Sequence, residues 1–215
     1  MPRIEAFEQS SDRYDLWFER HPAAYQSELA AVRELWPAGA DGVEIGVGAG
    51  HFAAPLGIRR GVEPAAAMRR RATARGVAVV DGVAEHLPFS DQCTDAVLMV
   101  TTICFVDDPE QSVREMYRIL RPGGCAVIGF VDRESPLGRE YAIKRGSSVF
   151  YGEARFFSAA EVAALLTEAG FGGLEYRQTL FAHPDKMQAP DPVRSGAGEG
   201  SFVVVRGNKK EARSC

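Results

Sequence analysis

A chain of 215 residues, 46% of them hydrophobic, is long enough to bury one substantial core, and no shift in composition marks a second one. With 25 Lys plus Arg against 29 Asp plus Glu the formal charge is −4, which argues against a phosphate-tracking surface, a local basic patch aside, and leaves nucleic acid outside the expected partners. No run reaches membrane-spanning length, Met1-Pro2-Arg3-Ile4-Glu5 lacks an apolar signal region, and Cys93, Cys104, Cys125 and Cys215 show no metal-like spacing; a cytoplasmic protein with reduced thiols, no membrane partner and no metal is expected.

Residues 10–36 carry Tyr14, Trp17, Phe18, Tyr25, Leu29, Val32 and Trp36 at roughly helical steps, which predicts two helices broken at His21-Pro22. The first is rich in aromatic residues and precedes the first strand, so it either packs on the sheet or folds over a ligand cleft. After a turn at residues 37–42 comes Val43-Glu44-Ile45-Gly46-Val47-Gly48-Ala49-Gly50-His51-Phe52, a β-prone run that ends in three alternating glycines before a short helical segment. Glycine accepts positive φ and lets a ligand approach the main chain, while a new helix directs free N–H groups into the same space.

Arg60-Gly61-Val62-Glu63-Pro64 reads as a second strand with a carboxylate at its end. A helix follows over 65–75, with Met68 in its first turns and Arg69, Arg70, Arg71 and Arg75 read as a solvated face. Residues 77–81 supply a third strand and 82–89 a loop stopped by Pro88. Residues 95–100 form a fourth strand that runs into Thr101-Thr102. Asp107-Asp108-Pro109-Glu110 has the composition of a helix start, and the helix over 110–120 ends at the turn Arg121-Pro122-Gly123-Gly124. A fifth strand spans 125–131, and 132–152 is a polar, aromatic connection without clear periodicity. Ser158 and Glu161 form a capping box that opens a helix to Gly170. Strands over 173–180 and 201–207 flank a Pro- and Gly-rich loop, in which His183 reads as structural or exposed. The chain ends in a polar tail over 208–215.

Alternating strands and helices imply a parallel sheet with helices on both faces, and ligands in such sheets sit at the carboxyl ends of the strands. That location collects Gly46, Gly48, Gly50, Glu63, the loop at 83–86 and Thr101-Thr102. The glycines read in two frames. Gly48 to Ala53 fits the dinucleotide fingerprint GxGxxA, whereas GxGxG from Gly46 places Glu44 before the turn and Glu63 at the end of the next strand.

Four segments together settle on a resemblance: the stretch at 43–50, Gly61-Val62-Glu63-Pro64, Ala84-Glu85-His86-Leu87-Pro88-Phe89 and Arg118-Ile119-Leu120-Arg121-Pro122-Gly123-Gly124. They resemble the class I S-adenosylmethionine-dependent methyltransferases, in particular the type 11, ubiquinone-biosynthesis-type small-molecule branch, over roughly residues 14–207. The resemblance implies an α/β fold, a Rossmann-like three-layer sandwich with a seven-stranded mostly parallel sheet, last strand antiparallel, in the order 3-2-1-4-5-7-6. It implies a single domain over 1–207, in which 10–36 form a helical lid on a core at 41–207. The implied cofactor is S-adenosyl-L-methionine, released as S-adenosyl-L-homocysteine after in-line displacement by N, O or S of a small-molecule acceptor. The implied assembly is a monomer or homodimer.

Carried onto this chain, the cofactor contacts are Tyr14, Glu44, Gly46, Gly48, Gly50, Glu63, Pro64, Met68, Ala84, Glu85, His86 and Thr101. Glu63 would accept the ribose hydroxyls, the glycine backbone would lie under the methionine part, and Ala84 and Glu85 would meet the adenine edge. Acceptor-pocket candidates are Trp17, Thr102, Asp132, Arg139 and Tyr141, with Arg133, Glu134, Tyr151 and Arg155 in the same segment. No catalytic base is implied. Tyr14 and Trp17 are the aromatic candidates to face the sulfonium and close the cleft.

Two positions depart from the pattern. Val83 stands where many relatives hold an aspartate that receives the adenine amino group, so Glu85 or a carbonyl must take its place, or affinity falls. Thr101-Thr102 replaces both the Asn/Asp-Pro-Pro-aromatic motif of nucleic-acid amino-methyltransferases and the metal-binding aspartate of catechol-type enzymes. An NAD-dependent oxidoreductase and a non-catalytic S-adenosylmethionine-binding regulator are the alternative readings.

Overall fold

The computed structural model describes residues 4–144 and 150–211. Three helices open the chain, α1 (Glu5–Gln9), α2 (Ser11–Arg20) and α3 (Pro22–Leu35). Then follow β1 (Gly42–Ile45), α4 (Ala53–Leu56), β2 (Arg60–Val62), α5 (Ala66–Ala74), β3 (Ala78–Val80), β4 (Thr94–Val100), α6 (Pro109–Ile119) and β5 (Leu120–Val131). The last part contains α7 (Pro136–Lys144), α8 (Ala159–Glu168), β6 (Gly172–Thr179), β7 (Arg194–Ser195) and β8 (Phe202–Asn208).

The sheet runs β3-β2-β1-β4-β5-β8-β6-β7. The first five strands are parallel, and β8 is antiparallel to both β5 and β6. Apart from β7 this is the expected order, with β8 as the expected seventh strand. The additional strand is two residues long: the Pro- and Gly-rich loop swings back along β6 and pairs Arg177 with Ser195 and Gln178 with Arg194. A pair so short leaves no alternation in the sequence.

Side chains alternate across the strands into two apolar layers. Ala96, Leu98, Val100, Val127 and Val204 face α3, α4 and α5, whereas Val97, Met99, Ala126, Ile128 and Val203 face α6 and α8. Each fully buried Leu, Ile, Val or Met on these strands contributes about 1.5–3 kcal/mol. The predicted caps are in place: Asp108 accepts the Gln111 N–H at 2.8 Å, and Ser158 and Glu161 bond reciprocally.

Three other expectations change. The connection after β5 contains α7, begun by Ser135, whose Oγ accepts the Gly138 N–H at 3.0 Å, and by Pro136 in the first turn. Asn208 belongs to β8 rather than to the tail, and the Lys209 ammonium donates to the carbonyls of Tyr117 and Leu120; residues 212–215 lie outside the described residues. The arginines of α5 are not simply a solvated face, because Arg71 and Arg75 pair with Asp15 of α2 and Arg69 with Asp81.

Candidate functional site

The carboxyl ends of β1, β2 and β4 open into a cavity of about 660 Å³, within the range that encloses small ligands. Its floor is the turn after β1. Gly46 and Gly48 have φ of 65° and 53°, and a Cβ on Gly46 would lie 2.3 Å from the Thr102 side chain. Only glycine brings the main chain to this wall. Glu63 follows β2: one oxygen accepts the Gly48 N–H at 3.0 Å and the other the Ala65 N–H at 2.9 Å. Burial pushes its carboxyl up to about 6 against the pull of those two N–H groups.

The roof is aromatic. Phe7 of α1 packs edge-on against Tyr14 and Phe105, and Tyr14 packs against Phe18 and Phe150. The Glu8 carboxylate accepts the N–H groups of Ala66 and Ala67, where the first turn of α5 leaves donors unpaired. That bond fastens α1 across the cavity. His51, stacked on Phe18 with ring centres 3.7 Å apart, bonds Asp15 at 2.7 Å and fastens α2 in the same way.

The far wall carries Trp17, Tyr141, Tyr151 and Glu28. Tyr141 and Tyr151 stack with centres 5.0 Å apart. Burial, then the carboxyls of Glu44, Glu63 and Glu28, hold the Tyr14 hydroxyl protonated. Glu28 is itself 5% exposed, and burial alone pushes it up to about 8. Arg13, Arg20 and Lys144 reach the cavity with side chains on exposed positions at its mouth. Among the described residues no cluster of His, Cys, Asp and Glu is arranged to hold a metal, and no helix is long and apolar enough to cross a membrane.

A family model described as a methyltransferase domain matches residues 43–128. A crystal structure from Thermotoga maritima, of an S-adenosylmethionine-dependent methyltransferase described as a possible histamine N-methyltransferase, is 53% identical over 96% of this chain and all of that one, with a TM-score of 0.94. The chain belongs to the S-adenosylmethionine-dependent methyltransferases. An uncharacterized protein of Methanocaldococcus jannaschii is 38% identical over 96% of this chain and its own full length. Another, from Mycobacterium tuberculosis, is 39% identical over 95% of this chain and 74% of its own.

The methyltransferase's cofactor is S-adenosylmethionine. The residues fit that molecule: a glycine turn in which Gly46 leaves no room for a Cβ, an acidic group at the end of β2, and apolar Val83, Ala84 and Val106 on the cavity lining. Of the expected contacts, Tyr14, Gly46, Gly48, Glu63, Pro64, Ala84, Glu85 and Thr101 line the cavity, as do Trp17, Thr102 and Tyr141 on the acceptor side.

Six expected site residues do not line it. Glu44 is buried beneath the turn, where one oxygen accepts the Ala53 N–H and Oε2 has no partner among the described residues; burial holds it protonated. Gly50 packs on Ala72, where a Cβ would come within 3.2 Å of Cα. Met68 is enclosed with Ala49 and Ala65, and His86 is exposed. Asp132 turns inward to accept the Glu134 N–H at 2.9 Å, and Arg139 donates to the Glu134 carbonyl on the surface.

Two lining residues hold the wall through their own bonds. The Thr102 hydroxyl donates to the carbonyl oxygens of Gly46 and Val100, bracing the glycine turn. The Glu85 Oε1 accepts the N–H groups of Asp107 and Asp108, which anchors this carboxylate at the start of α6. Glu28, Phe7, Phe105 and Phe150 also line the cavity and are not among the residues that the sequence singles out. For Glu28 a signal exists: Ala24, Glu28, Ala31 and Leu35 fall on one helical stripe, and the other three are fully buried.

Proposed function

We propose that this methyltransferase acts on a small-molecule acceptor held in the same cavity as the cofactor, with nitrogen the first choice among N, O and S. The observation that carries the reading is the continuity of the cavity from Glu63 and the glycine turn to the aromatic wall of Trp17, Tyr141 and Tyr151. The Thermotoga protein's description as a possible histamine N-methyltransferase supports nitrogen.

When bound, S-adenosylmethionine supplies an electrophilic methyl whose leaving group is already in place. The work of the chain is therefore alignment, which contributes roughly 7–11 kcal/mol in well-oriented systems. In this reading Glu63 accepts the ribose hydroxyls, exchanging bonds it otherwise makes to Gly48 and Ala65. Gly46 and Gly48 give main-chain contact to the methionine part, and Val83, Ala84 and Val106 enclose the adenine, read by main-chain groups since Val83 accepts no bond. Tyr14 and Trp17 shut out water from above as part of a lid formed by α1 and α2.

Calorimetric titration with S-adenosylhomocysteine and with NADH tests the cofactor half: binding of the first and not the second is expected, and preference for NADH overturns it. A radiolabelled methyl-transfer screen over small amines, phenols and thiols tests the acceptor half. Stoichiometric cofactor binding without transfer to any of them favours a regulator.

A further inference from the structure

We propose that Glu28 is the acceptor-binding carboxylate of this site and that it selects a small molecule carrying a basic nitrogen, an aliphatic amine or an N-heterocycle; the proposal rests on the methyltransferase reading above. Glu28 occupies a position of α3 that its neighbours on the stripe, Ala24, Ala31 and Leu35, fill with buried apolar groups. It lines the cavity at 5% exposure.

Other buried acids of this protein have donors. Glu115 accepts the Leu87 N–H and pairs with Arg118, Asp132 accepts the Glu134 N–H, and Glu63 accepts two N–H groups. Glu28 has no hydrogen bond and no ion pair among the described residues, and burial is the one influence on its carboxyl. Its neighbour Ser27 shows the contrast: that hydroxyl donates to the Ala23 carbonyl and accepts the Asp191 N–H. The Glu28 oxygens open onto the cavity with no donor from the described residues, so an N–H of a bound ligand can supply one.

The surroundings define the donor. Tyr14, Tyr141 and Tyr151 line the cavity together with Glu28. Aromatic faces around a carboxylate suit a cation with N–H donors. The site also lies within reach of the transfer point, because Tyr14 connects the two ends: a Cβ on Gly48 would be 3.4 Å from its hydroxyl.

The test is calorimetry on the full chain, with and without S-adenosylhomocysteine, using histamine and 2-phenylethylamine as probes and 2-phenylethanol as the uncharged counterpart. Wild type is expected to bind at least one amine about tenfold or more tightly than the alcohol, the worth of one charge-assisted bond. Glu28→Gln is expected to abolish that preference and leave S-adenosylhomocysteine affinity within about twofold, since it touches none of the glycine end. Equal binding of amine and alcohol by wild type, absence of amine binding, or a preference that survives in Glu28→Gln overturns the proposal. The wild-type comparison decides even where a variant fails to fold, and Glu28→Asp, which keeps the charge, is expected to retain part of the preference. Amine preference without any S-adenosylhomocysteine binding sinks the methyltransferase reading instead, so the two failures are distinct.

Discussion

At one end of the cavity the ligand-facing groups are main chain: Gly46 and Gly48, turned out by positive φ and braced by Thr102, with Glu63 tied to the same turn. At the other end they are side chains carried on three different helices, Tyr14 and Trp17 on α2, Glu28 on α3 and Tyr141 on α7. Main-chain recognition needs only a shape that glycine permits, so a cofactor shared by many enzymes can be read by one short motif. Side-chain recognition draws on distant parts of the chain and can be respecified one residue at a time. In the proposed reading the cofactor is held at the first end and the acceptor is selected at the second.

The comparison breaks most visibly at Gly46. A methyl group there meets Thr102 and holds a backbone of φ 65° against its preference. Gly46→Ala is expected to cost about 3 kcal/mol from strain and overpacking together, lowering Tm by roughly 6–12 °C. A melting curve that overlays wild type would mean the turn is softer than its geometry indicates. Glu63→Ala is next. If Glu63 accepts both ribose hydroxyls as proposed, its removal is expected to weaken S-adenosylhomocysteine by about 100-fold. Because its carboxyl sits at about 6, wild-type affinity should also decline as pH falls through that value, and Glu63→Gln should lack the decline. Affinity unchanged in Glu63→Ala removes the glycine end from cofactor binding.

At the other end Glu28 predicts a stability signature independent of any ligand. Its folded value, about 8, lies above the ordinary 4.5, so the folded state holds a proton that the unfolded chain has lost between those limits. Stability contributed by the protonated form is complete below about 4.5 and declines as pH rises toward 8, then levels. Glu28→Gln removes that decline. The variant should therefore gain on wild type steadily from pH 5 to 8, by a few kcal/mol at most, the gap widening by on the order of 1.4 kcal/mol for each step of one in pH. Urea melts across this range measure the gap; a constant gap places the carboxyl in water.

How much of this is legible in the sequence follows the same division. The glycine turn, Glu63 and the capping box at Ser158 stand in local patterns, where a few adjacent residues carry the signal, and the strand order follows from the resemblance those patterns add up to. Thr101 and Thr102 are located through the same topology, yet the job of Thr102, bonding the Gly46 carbonyl, needs coordinates. Asp132 and Arg139 mislead because polarity in a loop does not say which way a side chain turns, and both are spent on the start of α7. Helix α7 itself is hard to see although Ser135-Pro136 is a helix start, its short amphipathic run being diluted by charge. Helix α1 is five residues long and stands through Glu8 and Phe7, contacts to residues about 58 and 98 positions away that no local window contains.

The lid carries the smallest expected effects and is the sharpest test of the division itself. Phe7, Tyr14 and Trp17 are side-chain groups, yet Tyr14 lies against Gly48 and so spans both ends. If aromatic faces near the sulfonium contribute the usual 0.5–2 kcal/mol, Trp17→Ala should weaken S-adenosylmethionine by about 2- to 30-fold. Its neutral product analogue S-adenosylhomocysteine should be affected less, because the charge is absent. Tyr14→Phe keeps the ring and loses only the hydroxyl, so its effect should sit at the lower edge of that range. The ratio between the two cofactor forms is the telling quantity: a change common to both reports loss of packing over the cavity, whereas a change confined to the sulfonium reports charge recognition. Equal affinities in wild type, Tyr14→Phe and Trp17→Ala for both forms would make α2 a packing element alone, and recognition of the cofactor would then belong entirely to the glycine end.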